Sequence, residues 1–170
     1  KATCIPIGTL LSSTWDVKGV EHLAELLGIE IFANDIDTIL GPGLNIHRDP
    51  LNGRNFEYFS EDPLISGKFA GALTKGIGQS GASATIKHFA GNSQEKNRHT
   101  CNSIVSERAL REIYLKGFEI AVKEGEAVSI MTSYNPINGT WSSSNYDMNT
   151  IVLRNEWGYK GFVMTDWWAN

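Results

Sequence analysis

The chain has 170 residues, 41% of them hydrophobic and 20% charged, an ordinary globular composition with enough apolar material for one core and, by length, one domain. A formal net charge of −4 and a pI near 5.6 provide no clustered basic surface for nucleic acid or anionic membrane, and the apolar runs fall far short of the roughly 20 residues that span a bilayer. Cys4 and Cys101 lie far apart in no C-x-x-C or metal-ligand spacing, which leaves two free thiols and one bridge both open, and the compartment with them. The chain begins at Lys1 rather than Met and Asp166 lies close to its end, so the expectation is an internal piece of a longer protein, with any targeting segment outside it.

From Trp15 to Ile31, apolar residues at Val20, Leu23, Ala24, Leu27 and Ile31 follow one helix face and predict a first helix. The run Ile36 to Leu40 predicts a strand, stopped at Gly41-Pro42-Gly43 by a loop that reaches about Ser60. Asp62-Pro63 supplies a cap and a first-turn proline for a second helix, in which Ile65, Phe69 and Leu73 recur until Gly76 and Gly78. Ser83 to Ile86 reads as a strand ending in Lys87-His88, followed by a polar loop from Asn92 to Thr100. Ser106 and Glu107 cap and charge a third helix with Leu110, Ile113, Gly117 and Ala121 on its inner face, up to Gly125. Ala127 to Met131 reads as a strand, Asn135 to Tyr146 as a loop, Asn149 to Trp157 as a short helix and Gly161 to Thr165 as the last strand.

Alternating strands and helices imply right-handed crossovers and a parallel sheet covered on its faces, in a barrel or an open sheet. The strands end near Leu40, Ile86, Met131 and Thr165, each running into polar or aromatic residues. In a (β/α)8 barrel that edge is the active-site face. A full barrel needs about 250 residues, so the prediction is an α/β fold, a partial TIM-like barrel of about four β/α units, incomplete alone and with two open sheet edges.

Asp166 leaves an apolar strand and is followed by Trp167-Trp168. Aromatic faces stack on sugar C–H surfaces, and an apolar surround limits solvation of a carboxylate that attacks an anomeric carbon; a helix-capping aspartate is the plainer alternative. Arg54 lies three residues before Glu57, where its planar fork of donors suits a pair of sugar hydroxyls; an Arg54–Glu57 ion pair that only braces the loop is the alternative. Lys87-His88 offers donors from two directions to a polyol ring, against a snorkelling lysine beside a core histidine. Met131 and Tyr134 bring a soft apolar side chain and a phenol to the next strand end, a pair that decides nothing on its own. A retaining glycosidase needs two carboxyl groups about 5–5.5 Å apart. Glu57, Glu61 and Glu95 are not set by their flanks as Asp166 is, which points to a partner carboxylate from outside the chain.

Other patterns carry less. Gly76-Ile77-Gly78-Gln79-Ser80-Gly81 fits G-x-G-x-x-G but follows a helix and precedes a strand, the reverse of a dinucleotide fold. His47, Asp49, His88, Glu95 and His99 lack metal-site spacing, and Asn138-Gly139-Thr140 is a sequon whose Asn-Gly also makes turns for local reasons. No metal or cofactor is expected, and no role falls to His99, Cys4 or Cys101.

Taken together, Gly41-Pro42-Gly43-Leu44-Asn45, Gly53-Arg54-Asn55-Phe56-Glu57-Tyr58-Phe59-Ser60-Glu61-Asp62-Pro63, Lys87-His88-Phe89-Ala90-Gly91-Asn92, Met131-Thr132-Ser133-Tyr134-Asn135 and Gly161-Phe162-Val163-Met164-Thr165-Asp166-Trp167 resemble the glycoside hydrolase family 3 β-glucosidases over essentially the whole chain. The resemblance implies a retaining, exo-acting β-glycosidase in which residues 1–170 form part of an N-terminal barrel domain. By the same resemblance Asp166 is the nucleophile, Arg54, Lys87, His88 and Tyr134 hold the non-reducing sugar, and Met131 and Trp167 pack on it. The family's acid/base glutamate belongs to a second, α/β sandwich domain, and a further sugar-binding aspartate precedes the Lys1-Ala2-Thr3 stretch; neither lies in this chain. Related N-acetylglucosaminidases carry Lys-His-Phe-Pro-Gly-His where this chain has Lys87-His88-Phe89-Ala90-Gly91-Asn92, which favours a glucosidase and leaves β-xylosidase or mixed activity open. The implied partners are a β-glucoside or oligosaccharide substrate and the remainder of the same polypeptide, without which turnover is expected to be slight. A non-catalytic carbohydrate-binding barrel is the reading from another class.

Overall fold

The computed structural model describes residues 2–169. A short helix α1 (Gly8–Ser12) precedes α2 (Val17–Ala33), whose first turn is capped by Asp16 accepting from Gly19 N. Val20, Ala24, Gly28 and Ile31 form its buried stripe, with Leu23 and Leu27 packed at the margin. Strand β1 is shorter than the apolar run suggested, only Thr38–Ile39. It pairs with one neighbour and lies at the sheet edge, where Ile36 and Leu40 stay exposed.

Helix α3 (Pro63–Gln79) begins as its sequence dictates: Asp62 Oδ1 accepts from Leu64 N and Ile65 N, and Pro63 occupies the first turn, where no donor is needed. It is buried on more than one face because it packs against both α2 and the following helical segment as well as the sheet. Gly76 carries no nucleotide loop; it lies inside α3, where a Cβ would stand 2.3 Å from Glu21 O of α2, so glycine permits the close helix approach. Strand β2 (Ser83–Phe89) continues through Lys87-His88 instead of ending at Ile86.

The third helix differs from its expected continuous form. Ser106 does cap it, accepting from Ala109 N at 3.3 Å, but α4 (Glu107–Ala109) passes into a π-turn over Leu110–Tyr114 before α5 (Lys116–Lys123). Leu115 N donates to Leu110 O at 2.8 Å, a five-residue step. The wider turn shifts the helical phase, so Ile113 is exposed while Gly117, Phe118, Ile120 and Ala121 face inward. Strand β3 (Ser129–Thr132) follows. The segment expected as loop holds a hairpin, β4 (Pro136–Ile137) and β5 (Thr140–Trp141), turned by Asn138-Gly139 with both residues at positive φ. The Asn138 amide is committed to Val105 N and O at 2.9 Å each, which favours the turn over the sequon. A π-helical segment, Asp147–Glu156, stands where an ordinary short helix was expected, and β6 (Phe162–Thr165) ends the sheet.

The main sheet is parallel in the order β1-β2-β3-β6. Ile86, Ile130 and Val163 are aligned across its centre, and so are Lys87, Met131 and Met164 one residue further on. Parallel pairing brings all the strand ends to one edge. A bulge between Lys87 and Phe89 makes His88 the extra residue of β2. Cys4 and Cys101 are free thiols. Among the described residues no helix is long and apolar enough to cross a membrane.

Candidate active site

The loop after β1 re-enters the sheet beyond Gly41-Pro42: Leu44 N donates to Lys87 O at 2.8 Å and Lys87 N to Pro42 O at 3.1 Å. It then turns through a 3-10 segment, Asn55–Glu57, pinned from behind by α1. Thr9 Oγ1 lies 2.8 and 3.0 Å from the carbonyls of Asn55 and Tyr58, and Ser12 Oγ donates to Phe59 O at 2.6 Å. These bonds fix the segment that carries Arg54, Glu57 and Tyr58. Arg54 Nε bonds Glu57 Oε1, and Lys87 Nζ stands 3.4 Å from Glu57 Oε2. Burial is the largest single influence and works against the Arg54 charge, but the bond to Glu57, together with the electrostatic influence of Tyr58, Glu57 and Glu95, holds the guanidinium above its ordinary pKa.

His88 is 1% exposed and is held by its backbone as well as its ring. Asn45 brackets it, accepting from His88 N at 2.8 Å and donating to His88 O at 2.9 Å. Tyr58 OH lies 3.2 Å from Nδ1, and Nε2 stands 3.6 Å from Asp166 Oδ2, beyond hydrogen-bond distance. Burial, then the positive charges of Arg54, Lys87 and Arg98, pushes the imidazole well below its ordinary pKa. The ring is therefore neutral, and the tautomer protonated on Nε2 satisfies both ends: Tyr58 OH donates to Nδ1, and N–H faces the carboxylate. The Tyr58 phenol is itself pushed far up by burial and keeps its proton.

Asp166 follows β6 and is 6% exposed, with Oδ1 accepting from Trp167 N at 2.8 Å. The aromatic wall expected around it differs in form: Trp167 and Trp168 are 66% and 90% exposed, and the carboxylate sits beside the His88 ring. Tyr134 is buried just beyond β3, and burial, followed by the charge of Asp166, raises its phenol above its ordinary pKa. Met131 is buried on β3 in register with Lys87. Glu95 does not stand free; it accepts from Arg98 Nη1 at 2.8 Å and from Asn92 Nδ2 at 3.3 Å.

The structure thus gathers Arg54, Lys87, His88, Met131, Tyr134 and Asp166 at one sheet edge, with Trp167 exposed beside them. Sequence reasoning missed Asn45, Tyr58, Arg98 and His99. The Arg98 guanidinium lies over the Tyr134 ring at 4.6 Å, and the His99 ring centre is 4.1 Å from that of Tyr134. Asn45 and Tyr58 stand inside the quoted motifs and Arg98 and His99 follow one of them, but apart from Glu95, three residues before Arg98, their partners are remote in sequence.

A parallel α/β sheet that brings a nearly buried carboxylate, a neutral imidazole beside it and a pair of cations on Glu57 to its strand ends has the layout of a glycoside hydrolase barrel. The comparisons agree: the sequence model described as "Glycosyl hydrolase family 3 N terminal domain" matches residues 1–170, and the chain belongs to that family. A β-glucosidase of Ruminococcus albus is 55% identical over 170 residues, all of this chain and 18% of that protein. β-Glucosidase B of Emericella nidulans is 51% identical over 166 residues, 98% of this chain and 20% of that one. The crystal structure of a Paenibacillus barengoltzii β-glucosidase matches with a TM-score of 0.98 and 71% identity, covering 99% of this chain and 18% of that one. β-Glucosidase 3B of Thermotoga neapolitana, solved in complex with glucose, matches at 0.97 and 50% identity, covering 99% of this chain and 24% of that one. The four β/α units are accordingly part of a TIM-like barrel, and the chain spans about a fifth of the length of the curated relatives it matches.

Proposed function

We propose that this chain contributes the nucleophile and the sugar clamp of a retaining, exo-acting β-glucosidase that removes terminal non-reducing β-D-glucosyl residues through a covalent glycosyl-Asp166 intermediate. The observation that carries the reading is the nearly buried Asp166 carboxylate, 3.6 Å from the Nε2 of a neutral His88. Asp166 attacks the anomeric carbon as the aglycone departs, and water later cleaves the ester. Arg54, Lys87, His88 and Tyr134 donate to the sugar hydroxyls, while Met131 and Trp167 offer apolar surface. Residues 1–170 act as part of the N-terminal barrel domain, and the acid/base glutamate comes from an α/β sandwich domain elsewhere in the polypeptide. Glu57 and Glu95 are already engaged by cations, which argues against either as that acid. The isolated chain is therefore expected to be inactive on alkyl glucosides, whose leaving groups need protonation.

The test is mass spectrometry of the complete polypeptide after incubation with 2-deoxy-2-fluoro-β-glucosyl fluoride, a trap for retaining enzymes. The expected result is one sugar adduct on the peptide containing Asp166, lost with turnover in Asp166→Asn. Turnover with labelling elsewhere would overturn the assignment.

A further inference from the structure

The Glu57 carboxylate joins the side chains of Arg54 and Lys87, which arrive from different segments. Arg54 is fixed on the loop after β1 and Lys87 on β2, yet one carboxylate oxygen meets Arg54 Nε and the other stands 3.4 Å from Lys87 Nζ. An ion pair that merely braced the loop would need only Arg54. Contact through Nε leaves the two terminal nitrogens of the guanidinium, and among the described residues neither they nor Lys87 Nζ has another side-chain or backbone acceptor. Glu57 also sits in a fixed frame: a Cβ on Gly43 would stand 3.3 Å from Glu57 Oε2 and 2.8 Å from the Tyr58 ring, so only glycine lets this turn close over the strand end.

We propose that Glu57 is a positioning residue that sets the spacing and direction of the Arg54 and Lys87 donors while leaving their free N–H groups for a neutral polyol. The inference rests on the sugar-clamp reading above. Two cations side by side repel, and each has long rotamer freedom; a shared carboxylate removes the repulsion and holds both heads at once. Its charge also suits the site to an uncharged sugar, because Glu57 offsets one of the two positive charges before substrate arrives. Glutamine in its place offers one acceptor and one donor, so its amide N–H₂ opposes either Arg54 or Lys87 and the spacing is lost.

The experiment compares Glu57→Gln, Arg54→Ala, Lys87→Ala and the doubles with Glu57→Gln in the complete polypeptide, with 4-nitrophenyl β-D-glucopyranoside as substrate. Glu57→Gln is expected to lower kcat/KM by about 10- to 100-fold, the scale of a hydrogen bond to a charged group, and by a clearly smaller factor when either Arg54 or Lys87 is already alanine, because only one cation then remains for it to position. Glu57→Asp, which keeps the charge but reaches only one cation, is expected to fall between glutamate and glutamine, and it serves as the reporter should the glutamine variant fold poorly. A purely structural role would lower the melting temperature and give additive losses. Wild-type kcat/KM in Glu57→Gln, or additive losses in the doubles, would overturn the proposal. If Arg54→Ala and Lys87→Ala are themselves silent, the sugar-clamp reading fails, and the bridge built upon it fails too.

Discussion

Tyr58→Phe isolates the device that orients His88. The Tyr58 ring is fully buried and the Gly43 backbone lies directly against it, so phenylalanine keeps the packing and removes one oxygen. That oxygen is 3.2 Å from His88 Nδ1; its weaker contact to Asn92 Nδ2, at 3.5 Å, contributes little. With the donor gone, the next group near Nδ1 is Asn45 Oδ1 at 3.4 Å, itself an acceptor. The imidazole then leaves Nδ1 unsatisfied, or it moves its proton to Nδ1 and turns the bare Nε2 lone pair toward Asp166 Oδ2, 3.6 Å away. A buried acceptor without a donor costs about 1–3 kcal/mol, which translates to a loss of about 5- to 150-fold if it is expressed in the transition state. Steady-state kinetics of the complete polypeptide on an aryl β-glucoside, alongside thermal melting, measures both effects. A variant with kcat/KM within twofold of the parent and an unchanged melting temperature would refute the argument that Tyr58 sets the histidine tautomer.

Because His88 is held well below its ordinary pKa by burial, the unfolded chain takes up a proton below about pH 6.5 that the folded state does not. Stability is therefore predicted to fall as pH drops from about 6.5 toward the depressed folded value, by up to about 1.36 kcal/mol per pH unit from this group. Urea unfolding across pH 5–8 should give a flatter profile for His88→Gln than for the parent, and parallel profiles would contradict the assignment. A second prediction concerns the α3–α5 crossing, where a Cβ on Gly67 would lie 2.8 Å from Ile120 Cβ and Cδ1 and 3.1 Å from Gly117 Cα. Gly67→Ala is expected to destabilise by about 1–3 kcal/mol through overpacking. Gly78→Ala, in the same helix with nothing within 4 Å of the added carbon, should be neutral or stabilising; equal melting temperatures for the two variants would refute the packing account.

The sequence carried the alternation of helices and strands because each element obeys a local rule. Asp62-Pro63 starts α3 through its own side chain, and the Val20 to Ile31 stripe buries as a helix face must. What it missed lacks a local rule. The π-turn at Leu110–Tyr114 is invisible to periodicity, since Leu110, Ile113, Gly117 and Ala121 fit an unbroken helix equally well; only packing reveals that Ile113 faces outward. The short β1 reflects its place at the sheet edge, a tertiary property that Ile36 to Leu40 cannot report.

The site shows the same division, and the bulge in β2 explains it. Parallel pairing guarantees that residues at strand ends meet at one edge, which is why Lys87, Met131 and Asp166 were legible as a group. In a regular strand, however, neighbouring side chains point to opposite faces, so Lys87 and His88 would not serve one cavity. The extra residue between Lys87 and Phe89 suspends that alternation. Lys87 then reaches Glu57 while His88 reaches Tyr58, the next residue along the same 3-10 turn, and turns its other nitrogen to Asp166. No spacing within Lys87-His88-Phe89 encodes this; it arises because a turn pinned by α1 presents two adjacent partners to two adjacent strand residues. The bulge therefore links the cationic clamp to the histidine beside the carboxylate, and a substitution that restores regular pairing in β2 would separate them even with every functional side chain retained.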